Sequence, residues 1–177
     1  MRKFFSLVLI FLIATSFNKA YSQQPTTKVY KVGHVFNITL PVYMTKTVGL
    51  NDAANIQYKS EIKDVYGFVI ADLKEELKMA EISYTSIREF YDEFIEDFTK
   101  DDENKTLGKP VSSVKNGINF IEVDYSFYSK EAESDIYYLV GIVETKTSYY
   151  KVMSWCSAAN KAKFKADFQK ILYSVKD

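Results

Sequence analysis

Two stretches near the C-terminus restrict the fold of this chain more than anything else in it. Residues 136–145 and 149–156 read as strands and are separated only by Lys146, Thr147 and Ser148. In the first, Tyr138, Val140 and Ile142 fall on one alternating face and Tyr137, Leu139 and Val143 on the other. Successive strand residues point to opposite faces, so this strand is apolar on both sides and has to be covered on both. A three-residue connection leaves no room for a crossover, which makes the pairing antiparallel.

The same pattern recurs upstream. Residues 54–62 and 66–73 form a second hairpin across Lys63 and Asp64, and its later strand is again two-sided, with Tyr66, Phe68 and Ile70 against Val69, Ala71 and Leu73. Residues 35–40 alternate weakly and stop at Pro41, as an early edge strand would. Residues 118–128 alternate through Ile121, Val123, Tyr125 and Phe127, and the change of phase at Phe120-Ile121 predicts a bulge. Residues 86–100 are the clearest helix: Ile87, Phe90, Tyr91, Phe94, Ile95 and Phe98 form one apolar stripe, with Ser86 and Glu89 as a capping-box pair. A short helix is expected over 73–80. A closing helix is expected over 159–175, with Phe164, Phe168, Ile171, Leu172 and Val175 inward. The fold class that follows is α+β: an antiparallel β-sheet covered by helices on both faces, an α/β/α sandwich.

The first residues have a different character. Met1, Arg2 and Lys3 precede an apolar run over 4–14, and the segment ends in Ala20-Tyr21-Ser22, with small residues where a signal peptidase reads them. That run is shorter than the roughly 20 residues a membrane span needs. The expected organisation is a signal peptide over 1–22, a flexible mature N-terminus over 23–28 and a single domain over 29–177. The product is then periplasmic or extracellular, with no lipoprotein cysteine and no transmembrane segment after cleavage. Removing 22 of the 177 residues leaves 155, enough to bury a sizeable core. The removed part holds Arg2, Lys3 and Lys19 and no acids, so the remainder has 20 Lys+Arg against 23 Asp+Glu. This weak acidity argues against nucleic-acid binding, which needs a basic surface.

The order of elements, with Phe36-Asn37-Ile38-Thr39-Leu40-Pro41 at the first expected strand, Ala54-Asn55-Ile56-Gln57-Tyr58 at the second, Trp155 ending the last and 168–175 in the closing helix, resembles the PsbP-like superfamily. Its members include an extrinsic subunit of photosystem II and a nuclear Ran-binding release factor. The resemblance covers residues 33–175. It implies an antiparallel sheet flanked by helices, and binding or accessory roles rather than catalysis; it carries no functional residue across.

The inventory of reactive groups points the same way. His34 is the one histidine and Cys156 the one cysteine, too few for a zinc site. Any Ser-His-Asp or Cys-His site would have to use His34, which reads instead as a surface or strand-edge histidine. Cys156 reads as a buried, inert thiol. The acidic run over 97–103 lacks the ligand spacing of an EF-hand loop and reads as a solvated helix end. The six glycines form no phosphate-binding loop. Asn37-Ile38-Thr39 and Asn104-Lys105-Thr106 match glycosylation sequons, meaningful only in a eukaryotic host. Lys161, Lys163, Lys165 and Lys170 read as the solvated face of the closing helix, with an anionic partner as the sharper alternative. No catalytic, cofactor-binding or metal residue is assigned, and the cofactor expectation is none. The function expected is an exported, non-catalytic binding or accessory domain with a protein partner in that compartment. The alternatives are a carrier of a small apolar ligand and a hydrolase using carboxylates alone.

Overall fold

A computed structural model describes residues 26–33 and 35–177. The leader over 1–22, residues 23–25 and His34 lie outside the described residues. In chain order the elements are Thr27–Val32 (β1), Phe36–Pro41 (β2), Thr45–Thr47 (β3), Ile56–Ser60 (β4), Val65–Leu73 (β5), Lys74–Met79 (α1), Ile87–Thr99 (α2), Thr106–Leu107 (β6), Val111–Lys115 (β7), Ile118–Ser129 (β8), Ser134–Glu144 (β9) and Ser148–Ser157 (β10). A 3-10 turn over Ala158–Asn160 leads into the last helix, Lys161–Leu172 (α3).

β1 and β2 form a hairpin of their own. The remaining strands make one sheet in the order β3-β4-β5-β10-β9-β8-β6, with β7 also on β8, and every pairing is antiparallel. The two hairpins expected from their short connections are β4–β5 and β9–β10. They meet in the middle of the sheet, where β10 pairs β5.

The two alternating sets of β9 go to different cores. Tyr137, Leu139 and Val143 pack with Phe164, Phe168, Ile171 and Leu172 of α3 and with Phe36, Ile38 and Leu40 of β2. Val140 and Ile142 pack on the opposite face with Phe90, Tyr91 and Ile95 of α2. The expected helical layers hold only in part. One face carries α3 together with the β1–β2 hairpin. The other carries α2 over the β8–β10 side, with Leu50 and Ala54 of the β3–β4 connection packed against the same cluster.

α2 begins where Ser86 accepts a hydrogen bond from the Glu89 amide at 3.2 Å. The return arm of the expected capping box differs, because the Glu89 carboxylate accepts from the backbone and hydroxyl of Thr85, one residue earlier.

Three further expectations are corrected. Residues 27 and 28, expected to be flexible, open β1, so 35–40 corresponds to the second strand rather than the first. β1 was hidden because Thr27 to Tyr30 leave only Val32 fully buried. No bulge interrupts β8: its register with β9 runs unbroken from Asn119↔Glu144 to Ser129↔Ser134. Phe120 and Ile121 are both buried, one in each core, so a strand apolar on both faces mimics a change of phase. Finally, β6 and β7, not expected from the sequence, occupy residues counted as connection.

Candidate partner-binding surface

On the α2 side the sheet can be read as rows running across the strands. One row, set by register, joins Lys59 on β4, Tyr66 on β5, Trp155 on β10, Tyr138 on β9 and Tyr125 on β8. Strands lie about 4.8 Å apart, close to the distance at which aromatic rings stack with an offset. The rings use that match. Tyr66 stacks on Trp155 at 5.6 Å between centroids and Trp155 on Tyr138 at 5.2 Å. Phe127, two residues beyond Tyr125 on β8, stacks on Tyr138 at 6.1 Å and on Tyr125 at 5.7 Å. Edges of Phe68 and Phe98 close the stack from the core side, against Trp155 and against Tyr138 and Tyr125 respectively.

Tyr125 is fully buried. Tyr66, Trp155 and Tyr138 of the row, and Phe127 beside it, are only half-buried, which leaves four stacked aromatic side chains partly open to solvent at one end of the sheet. The two phenols with the deepest surroundings are held protonated. Burial raises the Tyr125 hydroxyl, its hydrogen bond to Asp102 raises it further, and burial does the same at Tyr138.

Lys59 flanks Tyr66 at one end of the row, and acids lie near both ends. The β4–β5 turn brings Asp64 beside Tyr66, where burial and then that carboxylate raise the phenol. At the other end a cleft of about 260 Å³ is lined by Phe127, Asp101, Asp102, Glu103 and Glu131 among others. Lysines at this end are largely committed: Lys59 pairs Glu61, Lys100 pairs Asp97 and Lys130 pairs Glu103, at 2.6, 2.7 and 2.9 Å.

Other residues noted in the sequence have different placements. Cys156 is buried, and burial, with Asp64 adding to it, pushes its thiol up to about 11. Lys161 and Lys165 are not simply solvated. Both reach Asp124, at 2.9 and 2.7 Å, and Tyr137 donates to the same carboxylate at 2.9 Å. Burial alone would raise the Asp124 carboxyl, but the three donors outweigh it and hold it below its ordinary value. Lys170 pairs Asp167 at 2.9 Å, and Lys163 lies over the Phe164 ring. The run over 97–103 finishes α2 and enters the following loop, as expected of a helix end. Among the described residues no group of three or more His, Cys, Asp or Glu is placed to hold a metal, and no helix is long and apolar enough to cross a membrane.

An eight-stranded antiparallel sheet with α3 and a separate hairpin on one face and α2 on the other defines an α+β class, and the particular version is PsbP-like. The cyanobacterial PsbP (CyanoP) of Synechocystis sp. PCC 6803 superposes with a TM-score of 0.60 at 11% identity, over 85% of this chain and 92% of that one. A Pseudomonas aeruginosa protein of unknown function, PA94, described as a putative regulator, superposes with a TM-score of 0.52 at 10% identity, over 86% and 98%. No protein-family model matches the chain. No curated protein matches it by sequence either. At these identities the likeness establishes the fold.

Proposed function

We propose that this chain is an exported, non-catalytic accessory domain that binds a protein partner through the aromatic end of its sheet. One observation carries the reading: Tyr66, Trp155, Tyr138 and Phe127 stand half-buried in one continuous cross-strand stack. Aromatic side chains that combine large area with few rotatable bonds are the residues interfaces favour. The three-part leader supports export, and the PsbP-like fold is compatible with an accessory role by analogy at the level of fold only.

The alternatives draw less support. A carrier needs a chamber, whereas both cores are filled by side chains, many of them ring against ring. A cleft of about 620 Å³ lies at the surface between the β2–β3 connection and α3. A carboxylate hydrolase needs an acid held protonated near neutrality. At Asp124, Glu144, Asp167 and Asp177 burial is outweighed by hydrogen bonds that hold each carboxyl below its ordinary value.

The test is affinity capture from the exported fraction with the full chain, beside a Tyr66→Ser/Phe127→Ser variant whose melting temperature is checked first. A protein retained by the wild type and lost by the folded variant supports the reading. Equal retention by both places the interface elsewhere.

A further inference from the structure

The acids around the aromatic row specify what kind of segment it takes, an inference that rests on the binding role just proposed. The row crosses β5, β10, β9 and β8, so at about 4.8 Å per strand it is roughly 15 Å long. Asp64 stands at the Tyr66 end, and Asp101 and Glu131 at the Phe127 end. None of these three has an ion-pair partner among the described residues. Lys59, Lys100 and Lys130 are already taken by Glu61, Asp97 and Glu103, Lys105 donates to the Thr99 carbonyl, and Lys63 is turned over the Tyr43 ring at 3.8 Å. The open apolar strip therefore has, among the described residues, carboxylates without an ion-pair partner at both ends.

We infer that the partner presents a basic segment: a short apolar stretch with lysine or arginine on each side, laid along the row so that its cations meet Asp64 at one end and Asp101 and Glu131 at the other. Two geometric facts favour this. An extended segment spans about 15 Å in roughly five residues, so cations flanking a stretch of that length reach both ends together. Long basic side chains also lie along apolar surface by their methylene stems while the charged heads stay in water, which suits half-buried rings whose faces are taken by one another and whose edges border the strip. The same charges disfavour an anionic membrane surface or nucleic acid as occupant.

Trp155 is the only tryptophan in the chain and sits in the row, so its emission reports occupancy directly. The full chain is titrated with a synthetic peptide carrying lysines on both sides of about five apolar and serine residues, and with its counterpart carrying glutamates instead. The lysine peptide should shift the Trp155 emission and bind at least about tenfold tighter than the glutamate peptide. Between 50 and 500 mM salt, which shortens the screening length from about 14 to about 4 Å, its affinity should fall at least about tenfold. A variant with Asp64→Asn, Asp101→Asn and Glu131→Gln should lose a similar factor. Glu75→Gln with Glu76→Gln, on α1 beyond the opposite end of β5, should change nothing. Equal binding of both peptides, or binding indifferent to salt and to the triple variant, overturns the basic-segment inference while leaving the aromatic face as a binding surface. No response of Trp155 to either peptide overturns it as well. So does a concentration-dependent change in emission without peptide, accompanied by dimers in sedimentation, because the occupant would then be a second copy.

Discussion

Replacing Gly67 by alanine should destabilise the fold substantially, against what strand propensity alone suggests. A glycine within a strand loses more chain freedom on folding than alanine does, so the exchange is ordinarily favourable by some tenths of a kcal/mol to about 1. Here Gly67 lies between Tyr58 on β4 and Ser154 on β10 in the pairing register. The fully buried Tyr58 ring crosses over the glycine, and its hydroxyl meets the Ser154 hydroxyl at 2.9 Å. A Cβ on residue 67 would come within 2.3 Å of Tyr58 Cε2 and 2.6 Å of the Met153 carbonyl oxygen. The carbonyl is backbone, so the ring has to move. Overpacking of this kind costs about 1–3 kcal/mol, and stranding the Tyr58 hydroxyl away from Ser154 adds about 1–3 kcal/mol. A loss of roughly 2–5 kcal/mol in urea unfolding, or about 5–20 °C in melting temperature for a chain of this size, is expected. Tyr58→Phe, which removes the hydroxyl and leaves the ring, should cost only about 1–2 kcal/mol and so separates the two contributions. A Gly67→Ala protein within about 0.5 kcal/mol of wild type, the spread of neutral surface changes, would refute the reasoning.

Other consequences are equally direct. Leu139→Ala and Val140→Ala truncate opposite faces of β9, and each should cost on the order of 1–4 kcal/mol in denaturant melts, through lost burial and the cavity left behind; a face that tolerates its truncation is not a core face. Cys156 should resist alkylation at neutral pH until the protein unfolds, since its thiol is buried and its pKa is raised to about 11; rapid labelling of the native protein would contradict its placement. The depressed Asp124 carboxyl contributes stability that is fully present above the unfolded value near 4 and is lost as pH falls through the lower folded value. Asp124→Asn should therefore be less stable than wild type at pH 7, by about 1 kcal/mol given the partly exposed lysines, with the gap closing as the pH falls below the ordinary carboxylate range in a series of denaturant melts. A gap that widens on acidification would reverse the assignment.

How much of this was legible depended on whether each signal was local. The β4–β5 and β9–β10 hairpins, α2 and the core stripe of α3 are carried by residue spacing within one segment. So is the two-sided burial of β9, and Ser86 announces the start of α2. β7 was missed although a local signal existed. Asn116 and Gly117 both take positive φ, 53° and 77°, in the two-residue turn that joins it to β8, and Asn-Gly is the favoured pair for that turn. Val111 and Val114 are exposed, so no apolar alternation marked the strand itself. The aromatic row could not be read at all. Tyr66, Phe127, Tyr138 and Trp155 are scattered over 90 residues of chain, and only the register across β5, β10, β9 and β8 stacks them. The Lys161–Asp124–Lys165 contact is hidden for the same reason: α3 looks solvated until the strand beneath it is known.

The claim that the aromatic end of the sheet is where this protein meets its partner is tested most directly by placing a photo-crosslinking amino acid at position 66, in the row, and separately at position 163, on the outer side of α3. The full chain is expressed with its leader, and the exported fraction is irradiated. The account predicts a discrete crosslinked protein from position 66 that disappears when Asp64, Asp101 and Glu131 are neutralised, and none from position 163. A crosslink from position 163 with none from position 66 would contradict it.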